Sequence, residues 1–579
     1  MKYSDKELNY YVDIITKIAK SGADNRDAVK SVLNSTPLTG GKSLSKANLL
    51  EIYQDLKKMG LISLRLEEEK TLLNGLKKKF IRSLSGVTTV TVLTMPYPCP
   101  GKCIFCPNDI RMPKSYIASE PGAQRALANK FDPYLQTYNR LVALSKNGHP
   151  VDKIEMIVLG GTWTFYPENY RRWFILRCFQ ALNDFDGRNG NESLSPAQVA
   201  LPIDLATAAE YGKNKEHSSY NHVVAKNITL PDVDCTWDDL DKAFVDNEQA
   251  YARCVGLSLE TRPDEINENT VIELRKLGAT KIQMGVQALD DVILSLNKRG
   301  HTVAVIANAF KLLRLAGFKI QVHWMPNLYG SNPQKDLEMF FELFSNVNFK
   351  PDELKIYPCS LIPGTELEQI YENKKWAPYD EKIMLGLIVD FIKNTPRYCR
   401  ITRVIRDIPS NEIAAGNGKT NLRQDAELIL EKEGTKVVEI RSREIREKAV
   451  DLDSLVLKET FYSTSISEEC FLEFVTLDDK LAGFLRLSLP SESPTISELS
   501  SSAVIREIHV YGQSLSLGTN SAGKAQHSGL GKRLIQRAEE ICLLKGYSKL
   551  SVISAIGTRE YYRKRGFRDG QLYQYKFLS

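Results

Sequence analysis

The chain has 579 residues, of which 42% are hydrophobic, and a formal net charge of +6. A chain of this length exceeds one compact domain, so we expect two or three domains with sizeable cores. No stretch approaches the length of a membrane-spanning apolar segment, and the amphipathic N-terminus is unlike a secretory signal, so the sequence predicts a cytoplasmic protein without membrane contact. The net charge is too small to indicate nucleic-acid binding by itself.

The N-terminal region, residues 1–80, is predicted to be a small helical cap. "KELNYYVDIITKIAK" and "SKANLLEIYQDLKKMG" carry apolar residues at three- and four-residue spacing. The cap leads into a basic cluster at Lys77, Lys78, Lys79 and Arg82. Such clusters are usually solvated faces, and phosphate contact is the functional alternative. Two further basic clusters occupy Arg397–Arg406 and Arg441–Arg446.

Residues 81–400 alternate strands with helices. The predicted strands are "VTTVTVLT", "KIEMIVLGGTW", "CVGLSLETRPD", "KIQMGVQAL", "FKIQVHWMP" and "ELKIYPCS". This alternation indicates βαβ units and a parallel sheet of about six strands, which closes most naturally as a full or partial (β/α) barrel. Catalysis is then expected at the carboxyl ends of the strands. A polar stretch at about 187–247 interrupts the pattern and is interpreted as an insertion.

A second domain of α+β type is expected at 441–579, after a Gly/Asn/Ser-rich linker at 401–440. Its predicted strands are "CFLEFVTLDD", "KLAGFLRLSLP" and "AVIREIHVYG", and "LGKRLIQRAEEICLLKG" is its predicted helix. The fold class predicted for the whole chain is therefore α/β, with an N-terminal helical cap, a partial barrel and a C-terminal α+β domain.

Three cysteines, Cys99, Cys103 and Cys106, follow the first predicted strand in a CxxxCxxC spacing. A structural zinc site needs four ligands, usually from two cysteine pairs, and only one group is present. A disulfide would leave an odd thiol in a reducing compartment. An iron–sulfur cluster held by three thiolates keeps one iron open, and S-adenosylmethionine binds such an iron in radical enzymes. The spacing favours this third interpretation.

Supporting residues follow the next two strands. Gly160 and Gly161 would let bare backbone approach the amino group of S-adenosylmethionine, although a glycine pair is commonly just a turn. Glu260 ends the third strand, where its carboxylate would bind the ribose or the amino group of the same cofactor. The alternative for Glu260 is a surface ion pair with Arg262.

The stretch "QHSGLG" at 526–531 places Gln526, Gly529 and Gly531 at the start of a helix. Backbone N–H groups and the positive helix end at such a turn bind pyrophosphate, although a plain helix start is equally compatible. The order of the flanking strands resembles a GNAT acetyltransferase, whose glycine turn binds acetyl-CoA. Tyr562 is a candidate proton donor near the thioester, and its alternative is a core aromatic.

The chain resembles the family of the Elongator catalytic subunit and its single-chain archaeal and bacterial relatives. From about residue 80 to the end, the matching stretches include "PYPCP", "GHPVDKIEMIVLGGTW", "ETRPD", "NKRGHTV", "KIYPC", "RSREI", "REIHVYG", "QHSGLG" and "GTREYYRKRGF". The resemblance implies a radical S-adenosylmethionine barrel with a GNAT domain, and the cofactors [4Fe-4S], S-adenosylmethionine and acetyl-CoA. It implies an acyltransferase that builds a carboxymethyl group on carbon 5 of the wobble uridine of tRNA.

In that family a 5′-deoxyadenosyl radical is thought to take hydrogen from the acetyl-CoA methyl group. The resulting carbon radical adds to carbon 5 of uracil, and water releases CoA. The resemblance also implies that the basic N-terminal region contacts the tRNA anticodon arm, that an electron donor serves the cluster, and that the protein forms a homodimer or has Elongator-like partners.

The resemblance carries the family's acetyl-CoA contacts over to residues of both domains. Lys153 lies in the barrel domain, where its ammonium would hold the negative end of the donor across the domain interface; without the family it is an ordinary surface lysine. The other residues are Glu507, Ile508, His509, Val510, Leu530, Gly531, Lys532 and Tyr562.

The chain departs from the family pattern in three places. Asn108 and Asp109 stand where many relatives have two glycines after the third cysteine. Val437 stands where the family usually has a cysteine, and the insertion at about 187–247 is longer than expected. Two other functions are compatible with the sequence: a protein lysine acetyltransferase with a structural cluster, and a tRNA-binding scaffold without catalysis. The intact cysteine triplet argues against the scaffold.

Overall fold

The computed structural model describes residues 4–20, 29, 31–33, 46–76, 86–187, 220–231, 233–445, 453–511 and 529–579. The basic cluster from Lys77 to Arg82 and the predicted cofactor ligand Gln526 lie outside these ranges. No helix within them combines the length and the apolar character needed to cross a membrane.

The N-terminal helices form a cap with its own hydrophobic core, as predicted. Apolar side chains spaced three or four residues apart, such as Ile14, Ile18 and Leu56, are fully buried there. Helices of this cap within the described residues include α1 (Asp5–Lys20), α2 (Lys46–Lys58) and α3 (Leu66–Leu76).

The central domain is a seven-stranded, all-parallel sheet whose strands neighbour one another in chain order. β1 and β7 are its two edges, so the sheet is a partial barrel, as predicted. The strands are β1 (Thr88–Leu93), β2 (Lys153–Leu159), β3 (Arg253–Thr261), β4 (Lys281–Gln287), β5 (Lys319–Trp324), β6 (Glu353–Ile356) and β7 (Arg400–Val404).

Helices connect and cover these strands, and several begin at an Asp, Asn or Thr whose side chain accepts a hydrogen bond from the first turn, as at Asp290 and Thr302. They are α4 (Pro121–Ala128), α5 (Pro133–Lys146), α6 (Glu168–Asp184), α7 (Tyr220–Asn227), α8 (Trp237–Gln249), α9 (Glu268–Lys276), α10 (Asp291–Leu296), α11 (Val303–Leu315), α12 (Pro333–Ser345), α13 (Glu366–Glu372), α14 (Glu381–Asn394), α15 (Leu422–Lys432) and α16 (Ile440–Arg443).

The segment expected to be a linker, 401–440, is structured. It contains most of β7, which pairs with β6, and helix α15, which packs against α14. The described part of the predicted insertion contains α7 and α8.

The C-terminal domain is a second seven-stranded sheet with the strand order β13-β14-β12-β11-β10-β9-β8. Only β11 and β12 are parallel among its pairs, over Ala503–Ile505. Helix α17 (Leu530–Leu544) packs on this sheet, and α18 (Arg559–Arg563) follows β12. The strands are β8 (Val456–Ser463), β9 (Ser467–Val475), β10 (Leu481–Pro490), β11 (Ala503–Val510), β12 (Lys549–Val552), β13 (Arg568–Asp569) and β14 (Gln574–Phe577).

The C-terminal sheet docks against the amino ends of the barrel strands. Arg506 on β11 forms a 2.7 Å ion pair with Asp352, which directly precedes β6. Lys319, the first residue of β5, pairs with Glu507 at 2.6 Å. Gly557 is so close to β3 that an added Cβ would lie 2.6 Å from the Cβ of Arg253. The two sheets share one hydrophobic core.

Candidate active site

The three predicted cluster ligands line one cavity of about 800 Å³ at the carboxyl ends of the barrel strands. Cys99, Cys103 and Cys106 lie on the loop after β1, and all ten cysteines of the chain are free thiols, so no disulfide joins them. In the described ranges, no three His, Cys, Asp or Glu side chains are grouped as ligands of a single metal ion.

Positive charge surrounds the middle thiol. The guanidinium of Arg299 donates to Cys103 Sγ at 2.9 Å, and that of Arg262 approaches the same sulfur at 3.9 Å. A hydrogen bond from the Cys106 thiol, together with these two cations, holds the pKa of Cys103 well below its usual value. The thiolate is the form of cysteine that binds metal, so this environment suits a metal ligand.

A residue that the sequence analysis missed holds the backbone of the first cysteine. The Asn221 side chain on α7 accepts from Cys99 N at 3.0 Å and donates to Cys99 O at 2.7 Å. Its neighbour Tyr220 donates its hydroxyl to Met112 O at 2.7 Å. Helix α7, part of the predicted insertion, therefore braces the cysteine loop. Asn221 stands in a polar stretch without periodicity, which gives no signal of this role.

The glycine pair and Glu260 line the same cavity as the cysteines. Gly160 has φ +153°, and a Cβ there would collide with Thr94 Oγ1, so the position requires glycine. Glu260 accepts a hydrogen bond from the Tyr116 hydroxyl at 3.2 Å, and burial raises its pKa. Arg262 pairs with Asp264 at 2.8 Å instead, so the alternative of a Glu260–Arg262 surface pair is wrong.

Deeper in the barrel, polar side chains that were not predicted as site residues face the cavity. Lys355 on β6 donates to Gln283 Oε1, and His323 Nε2 lies 3.3 Å from the same oxygen. Burial lowers the pKa of Lys355 to about 8 and lowers that of His323. His323 Nδ1 lies 3.6 Å from Glu260 Oε1, which links this group to the predicted cofactor ligand.

The predicted acetyl-CoA residues come together in the C-terminal sheet. Gly529 has φ +80° and begins α17, whose first turn contains Leu530, Gly531 and Lys532. A Cβ at Gly531 would lie 3.7 Å from Ile508 Cδ1, so the glycine turn adjoins β11. The parallel pairing of β11 with β12 covers 503–505, before the predicted stretch 507–510. The backbone of that stretch and the N–H groups of the helix start thus face a common region.

Several side chains among the predicted acetyl-CoA residues are engaged in packing or in ion pairs. Tyr562 is buried against Phe567, and burial raises its pKa, whereas Tyr561 places its hydroxyl against Gly531. The carboxylate of Glu507 is engaged by Lys319, so its backbone is the part that remains for a cofactor. His509 is partly buried, desolvation lowers its pKa, and Val510 ends β11.

Lys153 begins β2 at the domain interface. It pairs in register with Arg253 on β3, the residue that Gly557 of the C-terminal domain approaches closely. Burial lowers the pKa of Lys153. The side chain is half-buried in the amino-end interface and is not a freely solvated surface lysine.

The departures from the family pattern also have structural roles. Asn108 donates to Gly364 O at 3.1 Å, and Asp109 accepts from Ala118 N at 2.9 Å, so both fasten the cysteine loop to its surroundings. Val437 packs against the main hydrophobic core.

The second basic cluster is largely paired within the molecule. Arg397 contacts Asp479 at 2.9 Å, Arg400 contacts Glu444 at 2.8 Å, and Arg406 contacts Glu120 at 2.8 Å. These arginines hold segments of the chain together, which is the structural alternative to phosphate contact.

Comparisons with known proteins agree with this architecture. The chain matches the Radical_SAM C-terminal domain over residues 351–432 and the Acetyltransferase (GNAT) family over residues 437–567. It is 38% identical over 511 residues to the tRNA uridine(34) acetyltransferase of Dehalococcoides mccartyi (strain CBDB1), covering 87% of this chain and 100% of the relative.

More distant relatives and a solved structure cover a similar share. The chain is 32% identical over 528 residues to Elongator complex protein 3 of Homo sapiens, covering 88% of this chain and 87% of the relative. The solved structure of the archaeal Methanocaldococcus infernus Elp3 with an N-terminus deletion (1-46) superposes with a TM-score of 0.67 at 33% identity, covering 85% of this chain and 100% of that chain.

Proposed function

Because the chain belongs to the family of the tRNA uridine(34) acetyltransferases and Elongator complex protein 3, we propose that it modifies the wobble uridine of tRNA with acetyl-CoA as the carbon donor. The protein is an acyltransferase with a radical S-adenosylmethionine barrel and a GNAT domain. The observation that carries the proposal is that one chain contains both a cavity with three thiols and a glycine turn beside β11.

The cavity fits a [4Fe-4S] cluster. Three thiols share it, and two buried guanidinium groups at Cys103 offset the negative charge that thiolate ligands bring. Cys99, Cys103 and Cys106 would hold the cluster, and Gly160, Gly161 and Glu260 would hold S-adenosylmethionine. When bound, these groups supply a radical that takes hydrogen from an unactivated C–H bond.

The C-terminal domain would hold acetyl-CoA between β11 and α17. The N–H groups of Leu530, Gly531 and Lys532 and the positive end of α17 suit the pyrophosphate. The backbone of 507–510 would pair with the pantetheine amides, as an added strand does at a sheet edge. Lys153 would hold the donor from the barrel side, and the hydroxyl of Tyr562 would donate to the thioester.

The proposed product is a carboxymethyl group on carbon 5 of the wobble uridine. The proposal includes contact of the N-terminal helical region with the tRNA anticodon arm, a low-potential electron donor, and action in the cytoplasm. A homodimer or Elongator-like partner subunits remain predictions.

The test is a reconstituted reaction with the full chain, tRNA, acetyl-CoA, S-adenosylmethionine and a reductant, followed by mass analysis of the wobble nucleoside. We expect a carboxymethyl increment in the native protein and none with Cys103→Ala. The matched control is Cys178→Ala, since Cys178 is fully buried on α6 and does not line the cavity. An increment that persists in Cys103→Ala contradicts the proposal. Acetylated lysine formed without S-adenosylmethionine supports the protein acetyltransferase alternative.

A further inference from the structure

Two buried arginines converge on one of the three thiols. Arg299, which is 4% exposed, directs Nη1 to Cys103 Sγ at 2.9 Å. Arg262, which is 6% exposed, directs Nη1 to the same sulfur at 3.9 Å. Cys99 Sγ contacts a neutral group, the Thr162 hydroxyl, at 3.4 Å. Both buried guanidinium groups therefore approach the sulfur of the middle thiol.

The arrangement of the two arginines is built into the fold. The second amino group of Arg299 donates to Gly285 O at the end of β4, and Arg262 donates to the carbonyl of Arg299. Asp264 pairs with Arg262 at 2.8 Å and lies 3.3 Å from His301 Nδ1. These contacts come from three separate segments, so the guanidinium groups are fixed before any cofactor binds.

The chemistry of such a contact is general. Hydrogen bonds and positive charge at the sulfur ligands of an iron–sulfur cluster stabilise the reduced state, which carries one more negative charge. The low polarity of the buried surroundings strengthens this effect. Raising the reduction potential makes it easier for an external donor to deliver an electron.

We propose that Arg299, assisted by Arg262, is a positioning residue that raises the reduction potential of the cluster bound at Cys103. This rests on the proposed function, because it assumes that the three thiols hold a cluster. The arginines act through the sulfur of Cys103 and need no contact with tRNA or acetyl-CoA.

The experiment is a redox titration of the reconstituted full-length protein, followed by electron paramagnetic resonance of the reduced cluster and by iron and sulfide analysis. In Arg299→Gln we expect the ratio of reduced to oxidised cluster at a fixed ambient potential to fall about tenfold, which is ~59 mV for a one-electron couple. Arg299→Lys keeps the charge and is expected to fall between Arg299→Gln and the native protein.

The matched control is Arg314→Gln. Arg314 is 2% exposed, and its guanidinium donates to the carbonyls of Phe349 and Lys350 at 3.0 and 2.8 Å, away from the cysteine loop. This variant is expected to keep the native potential, which separates a local effect at Cys103 from a general effect of removing a buried arginine.

Iron content and reduction potential together separate redox tuning by Arg299 from a role in cluster assembly. A full iron content with an unchanged potential in Arg299→Gln overturns the inference and leaves the proposed function intact. If Arg299→Gln loses iron, the comparison is made with Arg299→Lys, and loss of iron in both variants assigns Arg299 to cluster assembly and overturns tuning. Absence of iron in the native protein after reconstitution contradicts the proposed function itself.

Discussion

The two ends of the parallel barrel treat buried charge in opposite ways. At the amino end, Asp352 is fully buried and contacts Arg506 at 2.7 Å and Arg486 at 3.4 Å, which joins the barrel to the C-terminal sheet. At the carboxyl end, Lys355 and Glu260 face a cavity. Buried charges that are paired across the two domains hold the fold together, whereas the partly buried charges that face the cavity are available for chemistry.

The largest effect on stability is expected at the amino end. Asp352→Ala removes one of the two carboxylates that contact each of Arg506 and Arg486 and leaves an excess of buried positive charge, which costs about 3–5 kcal/mol of unfolding free energy. Chemical denaturation followed by far-UV circular dichroism measures this change. The control is Glu492→Ala, since Glu492 forms an interdomain pair with Lys311 in which both side chains are more than 40% exposed.

The control is expected to change the unfolding free energy by at most about 1 kcal/mol, because exposed pairs contribute little. If the two variants are equally stable, the interdomain ion pair at Asp352 does not hold the domains together, and the proposed contrast between the barrel ends fails.

At the carboxyl end, removing a charge is expected to stabilise the protein. Burial lowers the pKa of Lys355 to about 8, so the folded state carries this ammonium at a cost below pH 8. Lys355→Met should therefore raise the unfolding free energy by about 1–3 kcal/mol at pH 7, and turnover should fall because the cavity loses a cation.

The pH dependence of the unfolding free energy tests whether the Lys355 charge destabilises the folded state. The cost is fully present below pH 8 and is relieved between pH 8 and about 10.4, where the folded state has released the proton and the unfolded state still holds it. The gain from Lys355→Met should shrink across that window. The control, Lys319→Met at the amino end, should destabilise, since Lys319 pairs with Glu353 and Glu507. Destabilisation by both variants would show that the cavity does not make Lys355 different.

The sequence predicts those helices and strands whose apolar residues repeat at regular spacing, and those sites whose residues lie close together in the chain. Six barrel strands were found from their β-branched and apolar runs, and the triplet Cys99, Cys103 and Cys106 from its spacing. Strand β7 was missed because two of its five residues, Arg400 and Arg403, look like part of a basic surface cluster. Arg403 pairs with Asp407, which is close to it in the sequence. Arg400 pairs with Glu444, which is distant in the sequence.

The contacts between remote segments could not be predicted. Asp352 and Arg506 are 154 positions apart, and Asn221 and Cys99 are 122 apart, so no window of sequence contains both members of either pair. Residues such as Asn221 acquire a role only when the fold brings a polar helix onto the cysteine loop. The turn at Gly529 could be predicted from the sequence, because its φ of +80° is a local requirement of the backbone that favours glycine.

The smallest effect on stability is expected at Gly101, inside the cysteine loop. A Cβ at this position would collide with Arg262 Nη1, so in Gly101→Ala the guanidinium must move away from Cys103 and lose part of its contact with Asp264, which should cost about 1 kcal/mol. Because Arg262 lies 3.9 Å from the sulfur and Arg299 lies 2.9 Å away, the ratio of reduced to oxidised cluster should fall less than in Arg299→Gln.

The control is Gly122→Ala, whose Cβ would meet only Leu93 Cδ1 and the end of Arg125 at ordinary distances of 3.5 and 3.9 Å. A larger shift in Gly101→Ala than in Arg299→Gln would mean that Arg262, whose guanidinium the added Cβ displaces, is the dominant cation at Cys103.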